Sequence, residues 1–342
     1  MNLADFKAKL KSGELSGRYI FAGEEDYLKR YYRTELERAV VTDEAFATFN
    51  HTVFDGQEMQ IAALRDALYA PPMMSDYKLI EWRHADLDRM KESDRTALIK
   101  LFENSDDFPY AILAITALSD GFDTGTEKRR SKLYTRLSES FDILVFDKST
   151  DAQLMSWLKK HFDAEGIGVD AATLNAMLFR VGHSMQTLNE EVNKLAAYAK
   201  ANGKPAITVE DVNEICSSTA ECDAFAISNA IIEKNVENAF LALTEMKQQR
   251  TEPQVVLAML ARTYGELLSI SLLMDEGKRA DDIAAITKFH PYRLKLYMNA
   301  AKKVGTRRLA DSLSQLVKID AASKAGGITG YKTVEMFITQ NI

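Results

Sequence analysis

The first 150 residues alternate between two hydrophobic patterns. Positions such as Ile61, Leu64 and Leu68 lie three or four residues apart, which is the spacing of an amphipathic helix. Between such segments lie short apolar runs rich in β-branched and aromatic residues, at Arg18–Ala22, Phe49–Phe54, Leu79–Trp82, Ala111–Ile115 and Ile143–Phe146. Strands that alternate with helices predict a mostly parallel sheet that is covered by helices on both faces.

The pattern changes near residue 148, and no further strand is expected beyond it. Thr187–Glu190 and Thr208–Asp211 have the residue order of helix starts. From Glu214 to the end, apolar residues at helical spacing predict five or six helices, including Ala224–Ile232, Ala239–Met246, Gln254–Met274, Tyr292–Lys303 and Arg308–Asp320. The sequence therefore predicts an α/β domain followed by all-α domains.

Composition narrows the class of protein. A chain of 342 residues has room for two or three domains, and 43 basic against 50 acidic residues give a net charge of −7. That charge disfavours a protein that coats nucleic acid. The two cysteines fit a reducing compartment. With no export signal and no stretch expected to reach about 18 apolar residues, the prediction is a cytoplasmic protein that does not enter a membrane.

One segment is strongly basic, although the chain as a whole is acidic. Ile283–Ala310 contains seven Lys or Arg residues and no acid: Lys288, Arg293, Lys295, Lys302, Lys303, Arg307 and Arg308. Such a segment is typical either of a surface that faces phosphate or an acidic partner, or of ordinary solvated helix faces. Arg293 and Lys295 are two residues apart and so do not share a helical stripe, which favours the second interpretation.

The turn after the first predicted strand carries the most informative chemistry. In nucleotide-binding α/β domains this turn is a glycine-rich loop that ends in Lys-Ser or Lys-Thr and surrounds phosphate. Here it reads Gly23-Glu24-Glu25-Asp26-Tyr27-Leu28-Lys29, and its three carboxylates would repel phosphate. The five histidines and two cysteines show no ligand spacing, and no nucleophile motif occurs. The sequence therefore predicts no catalytic residue, no cofactor and no metal site.

A different kind of site is suggested between Tyr69 and Lys78. A predicted helix ends at paired prolines, Pro71 and Pro72, and two methionines, Met73 and Met74, follow before the next strand. Methionine is flexible and polarizable, and is suited to insertion into an apolar pocket of a partner. The alternative is that one or both methionines close the edge of the domain core, where buried methionine is common.

Three blocks of the sequence resemble the delta subunit family of the bacterial DNA polymerase III clamp loader. They are Arg18–Leu28, with its strand-Gly-x-Glu-x-Tyr-Leu order; Ala70–Ile80, with a small residue, Pro, apolar residues, Ser and Lys; and Gly182–Val212, with a Glu-x-x-Lys-Leu signature at Glu191–Leu195. Their order and spacing continue to the C-terminus, so the likeness covers essentially the whole chain.

The resemblance implies three domains: an AAA+-type parallel-sheet domain without a phosphate-binding loop at 1–148, a helical lid at 149–213, and a C-terminal helical collar for oligomerisation at 214–342. It implies a non-ATPase subunit of the DNA polymerase III holoenzyme that binds the sliding clamp and opens, or holds open, its ring interface. The family's plug carries over to Met73 and Met74, with Pro72 beside them. Expected partners are the clamp, the other subunits of a hetero-pentameric loader and, in the assembled loader, primer–template DNA.

Two other functions remain open from the sequence. One is an active AAA+ ATPase or another nucleotide enzyme, which the acidic turn disfavours. The other is a DNA-binding or regulatory AAA+-like protein that uses the basic segment Ile283–Ala310. No recognition-helix motif is evident there, and the overall charge of −7 disfavours strong independent DNA binding.

Overall fold

The computed structural model describes residues 1–13, 16–102, 108–327 and 329–342. The chain divides into two compact units, Met1–Thr150 and Asp151–Ile342. The division into three domains at 1–148, 149–213 and 214–342 stays a prediction.

The first unit is built on a parallel sheet. Five strands pair side by side in the order β2-β3-β4-β1-β7, and two further strands form a small antiparallel hairpin. The strands are β1 (Arg18–Ala22), β2 (His51–Asp55), β3 (Lys78–Ala85), β4 (Ala111–Ala117), β5 (Gly125–Thr126), β6 (Arg129–Arg130) and β7 (Asp142–Val145). The helices are α1 (Leu3–Ser12), α2 (Asp26–Val40), α3 (Ala47–Asn50), α4 (Ile61–Tyr69), α5 (Glu92–Lys100) and α6 (Lys132–Leu137).

Helices cover both faces of the inner strands of this sheet, and successive side chains of each strand enter opposite layers. In β1, Tyr19 and Phe21 pack with Phe6 of α1 and Leu36 of α2, while Ile20 packs with α4, α5 and α6 on the other face. Each of the five strands of the sheet overlaps a predicted apolar run, but the run Phe49–Phe54 begins too early, because Phe49 and Asn50 end α3 and β2 starts at His51. The hairpin of β5 and β6 was not predicted, because its two-residue strands carry no hydrophobic alternation.

The second unit is almost entirely helical. Its elements are α7 (Asp151–Ala164), β8 (Gly168–Val169), α8 (Ala171–Val181), α9 (Met185–Ala201), β9 (Ala206–Ile207), α10 (Val209–Ile215), α11 (Ala220–Ile232), α12 (Val236–Gln248), α13 (Pro253–Asp275), α14 (Ala280–Thr287), α15 (Pro291–Val304), α16 (Thr306–Lys324) and α17 (Tyr331–Asn341). The α/β plus all-α class is confirmed. Thr208 caps α10 as predicted, in a capping box with Asp211.

Three details of the second unit correct the sequence-based expectations. Strands β8 and β9 form a parallel pair where none was expected, because two residues are too short to show a periodic pattern. Helix α9 is capped by Ser184 and not by Thr187. From residue 214 onward the described residues form seven helices instead of five or six, since the short α14 and the terminal α17 were missed.

Helix α13 also corrects the expectation that no segment has the length and hydropathy of a membrane span. Its 23 residues meet both criteria by composition alone. Leu260, Tyr264 and Leu267 on its inner face are almost fully buried in the apolar core of the helical unit. Core packing therefore accounts for the apolar composition of this helix.

Candidate docking loop

The proline and methionine segment forms a loop, residues 70–77, between the end of α4 and the start of β3; we call it the methionine loop. The N–H of Ala70 makes the last helical bond, to the carbonyl of Asp66, and the exposed Pro71 follows. Proline lacks an N–H and disfavours helical geometry in the residue before it, so α4 ends here. The predicted helix end and strand start are both confirmed.

Both methionine side chains of this loop are exposed. Met73 is 45% exposed and Met74 is 83% exposed, while Pro72 is half-buried. Neither methionine belongs to an apolar cluster of the described residues in the first unit. The alternative that they close the edge of the core is therefore not supported. Two adjacent exposed apolar side chains on one short loop are typical of a contact site for another protein.

A buried asparagine that the sequence analysis did not single out holds this loop. Asn50 is 4% exposed and ends α3, directly before β2. Its Oδ1 accepts a hydrogen bond of 2.7 Å from the N–H of Met73, and its Nδ2 donates one of 2.8 Å to the carbonyl of Met73. Because His51 pairs with Leu79 in the parallel sheet, Asn50 and the loop meet at the amino ends of β2 and β3. The sequence feature that could have drawn attention to Asn50 is its position as a polar residue inside the apolar run Phe49–Phe54.

The end of the loop is tied back to α4 by a buried lysine. Lys78 is 3% exposed, and its Nζ donates to the carbonyls of Ala67 and Ala70. These carbonyls have no partner within the helix, so the lysine satisfies the last turn of α4. Burial lowers the pKa of Lys78. The first residue of β3 therefore fixes the helix end from which the methionine loop departs.

Met74 has a backbone conformation that L-residues rarely adopt. Its φ is +51°, in the left-handed region. For a residue other than glycine this conformation costs about 1–2 kcal/mol. It persists here beside the bonds that Asn50 makes to Met73 and the hydrogen bond of 3.0 Å from the Ser75 hydroxyl to the carbonyl of Tyr77. Strained residues that the surrounding structure holds in place are frequent at functional sites.

Groups at the acidic turn after β1 that could contact a phosphate are bonded to other residues of the protein. The N–H of Glu25, at the start of α2, donates to the carbonyl of Phe146 at 2.9 Å. Lys29 is buried, 2.8 Å from Asp26, and donates to the carbonyl of Ala117 at 2.9 Å. An N–H group and a lysine that could serve a phosphate are therefore both engaged within the protein.

An ionic cluster lies under β2 and β3. The ligand atoms of Glu37, His51 and Glu81 all lie within 4.8 Å of one another, so this group could hold a metal by distance alone. However, His51 directs different ring nitrogens to Glu37 and Glu81, at 3.4 and 3.1 Å, and Arg33 and Arg83 also pair with Glu81. A metal ion would have to displace these cations, so the arrangement fits an ion-pair network better than a metal centre.

Some basic side chains of the segment Ile283–Ala310 have a partner in the structure. Arg293 pairs with Glu266 at 2.9 Å, Lys303 pairs with Glu233 at 2.7 Å, and Arg308 donates to the carbonyl of Asn341. The described residues offer no ion-pair partner to the other four, which are Lys288, Lys295, Lys302 and Arg307. A DNA-binding role for the segment stays a prediction.

Comparison with known proteins identifies the family. A family model described as "DNA polymerase III, delta subunit" matches residues 19–136, and one described as "DNA polymerase III delta subunit, C-terminal domain" matches residues 221–341. The chain is 23% identical to DNA polymerase III subunit delta of Bacillus subtilis, over 98% of this chain and 96% of that one. The chain belongs to the DNA polymerase III delta subunit family. This confirms the resemblance and gives the chain a role in DNA replication as a clamp-loader component.

Two further comparisons agree with this membership. The chain is 23% identical to the probable DNA polymerase III subunit delta of Aquifex aeolicus, covering 90% of this chain and 85% of that one. The solved structure of the Bacillus subtilis DNA clamp loader delta protein matches with a TM-score of 0.59 and 21% identity, covering 98% of each chain. The shared architecture confirms the predicted fold class, a delta-type parallel sheet followed by helical regions.

Proposed function

We propose that this delta-family protein binds one protomer of the sliding clamp through Met73 and Met74, with Pro72 beside them, and opens or holds open an interface of the ring. The observation that carries the proposal is the pair of adjacent exposed methionines on a loop that buried polar side chains hold at its start, through Lys78, and at Met73, through Asn50. The clamp would receive the pair in an apolar pocket.

The energy available to such a plug is considerable. Full burial of one methionine side chain stabilises a complex by about 1.5–3 kcal/mol, so two would contribute about 3–6 kcal/mol. A loop that is already ordered before binding loses little conformational entropy when the complex forms. Methionine also adapts its shape to an irregular pocket, which compensates for the absence of an aromatic ring at this position.

Ring opening needs differential binding and no catalysis. If the subunit binds a clamp with an open interface more tightly than a closed one, binding shifts the ring toward opening. Nucleotide-driven movement would come from other subunits of a hetero-pentameric loader, which would expose or hide the methionine loop. Primer–template DNA would be a partner only of the assembled complex. Within this proposal the protein is a cytoplasmic, non-ATPase subunit without cofactor.

The first experiment measures binding of the purified chain to the sliding clamp of the same organism by titration calorimetry. We expect a Met73→Ala/Met74→Ala variant to bind at least about 100-fold more weakly, since it loses most of the apolar contact. A Val236→Ala/Leu241→Ala variant is the matched control, because these residues are 52% and 59% exposed in the second unit. Unchanged affinity of the methionine variant, with the fold retained, would remove the plug from the proposal.

A second experiment tests ring opening separately from binding. The same calorimetric assay compares a clamp whose interface is cross-linked shut with a clamp weakened at that interface. We expect tighter binding to the weakened clamp. Equal affinity for the two clamps would leave a clamp-binding subunit that does not open the ring.

DNA binding through Ile283–Ala310 is the second candidate function. The four basic side chains without an ion-pair partner among the described residues favour it, and the pairing of Arg293 and Lys303 with acids weakens it. Duplex binding that falls steeply with salt, and that a Lys295→Ala/Lys302→Ala variant loses, would support it.

A further inference from the structure

Asn50 makes two hydrogen bonds to the backbone of Met73. One side-chain amide satisfies both backbone groups of one loop residue, the N–H at 2.7 Å and the carbonyl at 2.8 Å. Among the described residues, no other side chain is seen to bond to the backbone of Met73 or Met74. Lys78 and Ser75 act only at the ends of the loop.

We propose that Asn50 is a positioning residue that fixes the methionine loop in its clamp-binding conformation and so sets the affinity for the clamp without touching it. The inference rests on the proposed function of Met73 and Met74 as the clamp plug. Asn50 is 4% exposed and its amide is turned toward the loop backbone, so it acts on the clamp through Met73.

Only an asparagine side chain meets the geometric demand at this position. The site needs an acceptor for an N–H and a donor for a carbonyl, on adjacent atoms of a short side chain. Aspartate supplies the acceptor and loses the donor, alanine supplies neither, and glutamine is one carbon longer. The orientation of the amide follows from the same network, because the reverse assignment would place donor against donor and acceptor against acceptor.

The energetic role of Asn50 follows from the backbone conformation of Met74, the residue after Met73. Met74 holds φ at +51°, which an unrestrained chain would leave for the ordinary regions of backbone space. Two hydrogen bonds on Met73 oppose that relaxation. Without them only a fraction of molecules would present both methionines in the binding geometry, and the apparent dissociation constant rises by the inverse of that fraction.

The test combines clamp affinity with a local measure of loop order. We expect Asn50→Ala to weaken clamp binding by about tenfold. Asn50→Asp should weaken it at least as much, since aspartate keeps the bond to the Met73 N–H but sets an acceptor and a buried charge against the Met73 carbonyl. In hydrogen exchange of the full-length protein, the Met73 amide is expected to exchange at least about tenfold faster in Asn50→Ala. In a Trp157→Phe background, Trp82 fluorescence during urea unfolding reports whether the first unit stays folded.

A double-mutant cycle separates positioning from a general structural role. In a Met73→Ala/Met74→Ala background, Asn50→Ala should cost clearly less affinity than in the wild type, because the loop that Asn50 positions no longer carries a plug side chain. An equal cost in the two backgrounds, or an unchanged exchange rate of the Met73 amide, overturns the inference. Wild-type affinity of Asn50→Ala also overturns it, provided that Met73→Ala/Met74→Ala loses binding. If that double variant binds normally, the proposed plug itself has failed. Should Asn50→Ala not fold, Asn50→Ser, which keeps a short polar side chain without a charge, supplies the same comparisons.

Discussion

The carbonyl oxygen of Phe146 accepts a hydrogen bond from the N–H of Glu25, with 2.9 Å between the nitrogen and the oxygen. This bond brings the end of β7 against the first turn of α2. Gly23 makes the approach possible, because a Cβ at this position would lie 2.3 Å from the same carbonyl oxygen. In a nucleotide-binding relative of this architecture, the N–H groups of this turn would instead face phosphate.

Gly23→Ala should destabilise the first unit. The added methyl group collides with backbone atoms, and the φ of +99° is strained for any other residue. Overpacking and backbone strain each cost about 1–3 kcal/mol, so we expect a loss of about 3 kcal/mol in the free energy of unfolding. Urea unfolding measures this loss in a Trp157→Phe background, where Trp82 is the only tryptophan and reports on the first unit.

Gly13→Ala is the matched control for this substitution. Gly13 also has a positive φ, +74°, but its Cβ would meet no atom of the described residues within 4 Å. Only the backbone penalty of about 1 kcal/mol is expected there. If the two variants lost equal free energy of unfolding, the collision with Phe146 would not contribute to the loss in Gly23→Ala.

The same contact predicts that the isolated chain does not bind ATP. The N–H of Glu25 is already bonded, Lys29 is engaged by Asp26 and Ala117, and the turn carries three carboxylates. Titration with a fluorescent ATP analogue and Mg²⁺ should give no saturable binding up to millimolar concentration. Micromolar affinity that unlabelled ATP competes away would contradict this and restore the nucleotide-enzyme hypothesis.

The inner strands of the main sheet were predictable because both of their faces are buried, whereas the edge strand β2 is only partly buried. β1, β4 and β7 carry apolar side chains along their length, and their pattern needs no tertiary information. Short elements were not predictable in this way. The pairs β5 with β6 and β8 with β9 have only two residues per strand, too few to show a periodic pattern. β5 and β6 form a local hairpin, whereas the partners in β8 and β9 are distant in sequence.

The candidate site was predictable only in part. The proline pair and two consecutive methionines indicate a loop with apolar side chains, and the structure adds that both side chains are exposed. The role of Asn50 depends on a contact across 23 positions of the chain, between elements that become neighbours only when β2 pairs with β3. No local pattern encodes such a contact.

Met74→Gly should stabilise the fold while weakening clamp binding. Glycine removes the left-handed strain of about 1–2 kcal/mol but costs about 0.5–1 kcal/mol of chain entropy. The expected net gain is about 0.5–1 kcal/mol in the free energy of unfolding, read from Trp82 fluorescence in the Trp157→Phe background. Affinity for the clamp should fall about tenfold or more, since one plug side chain is missing.

Met74→Ala separates these two effects. Alanine removes the same plug side chain but keeps a Cβ, so the backbone strain at φ +51° remains. We expect the loss of clamp affinity without the gain in stability. A stability gain of the same size in both variants would assign the effect to the exposed side chain and not to the backbone.

Glu81 is the carboxylate from which a pH dependence of stability is expected. Burial alone would raise the pKa of Glu81, but hydrogen bonds from His51 and Arg83 and the charges of Arg83 and Arg33 lower it below its ordinary value of 4.5. Because the pKa is lower in the folded chain than in the unfolded chain, the stabilisation is fully present above about pH 4.5. It is lost as the pH falls through the folded-state value.

Glu81→Gln removes this carboxylate and leaves Arg33 and Arg83 without their common partner. Loss of one member of a buried ion pair typically costs about 3–5 kcal/mol, so we expect a loss of about 3 kcal/mol at pH 7. Below about pH 4.5 the wild type loses the same interaction, and the difference between the two proteins should shrink. Urea unfolding at pH 7, 5 and 3, followed by Trp82 fluorescence in the Trp157→Phe background, measures that difference. Glu35→Gln, which breaks the exposed pair with Arg38, should cost little at any of these pH values. A difference between wild type and Glu81→Gln that is the same at all three pH values would mean that Glu81 stabilises the unit without its charge.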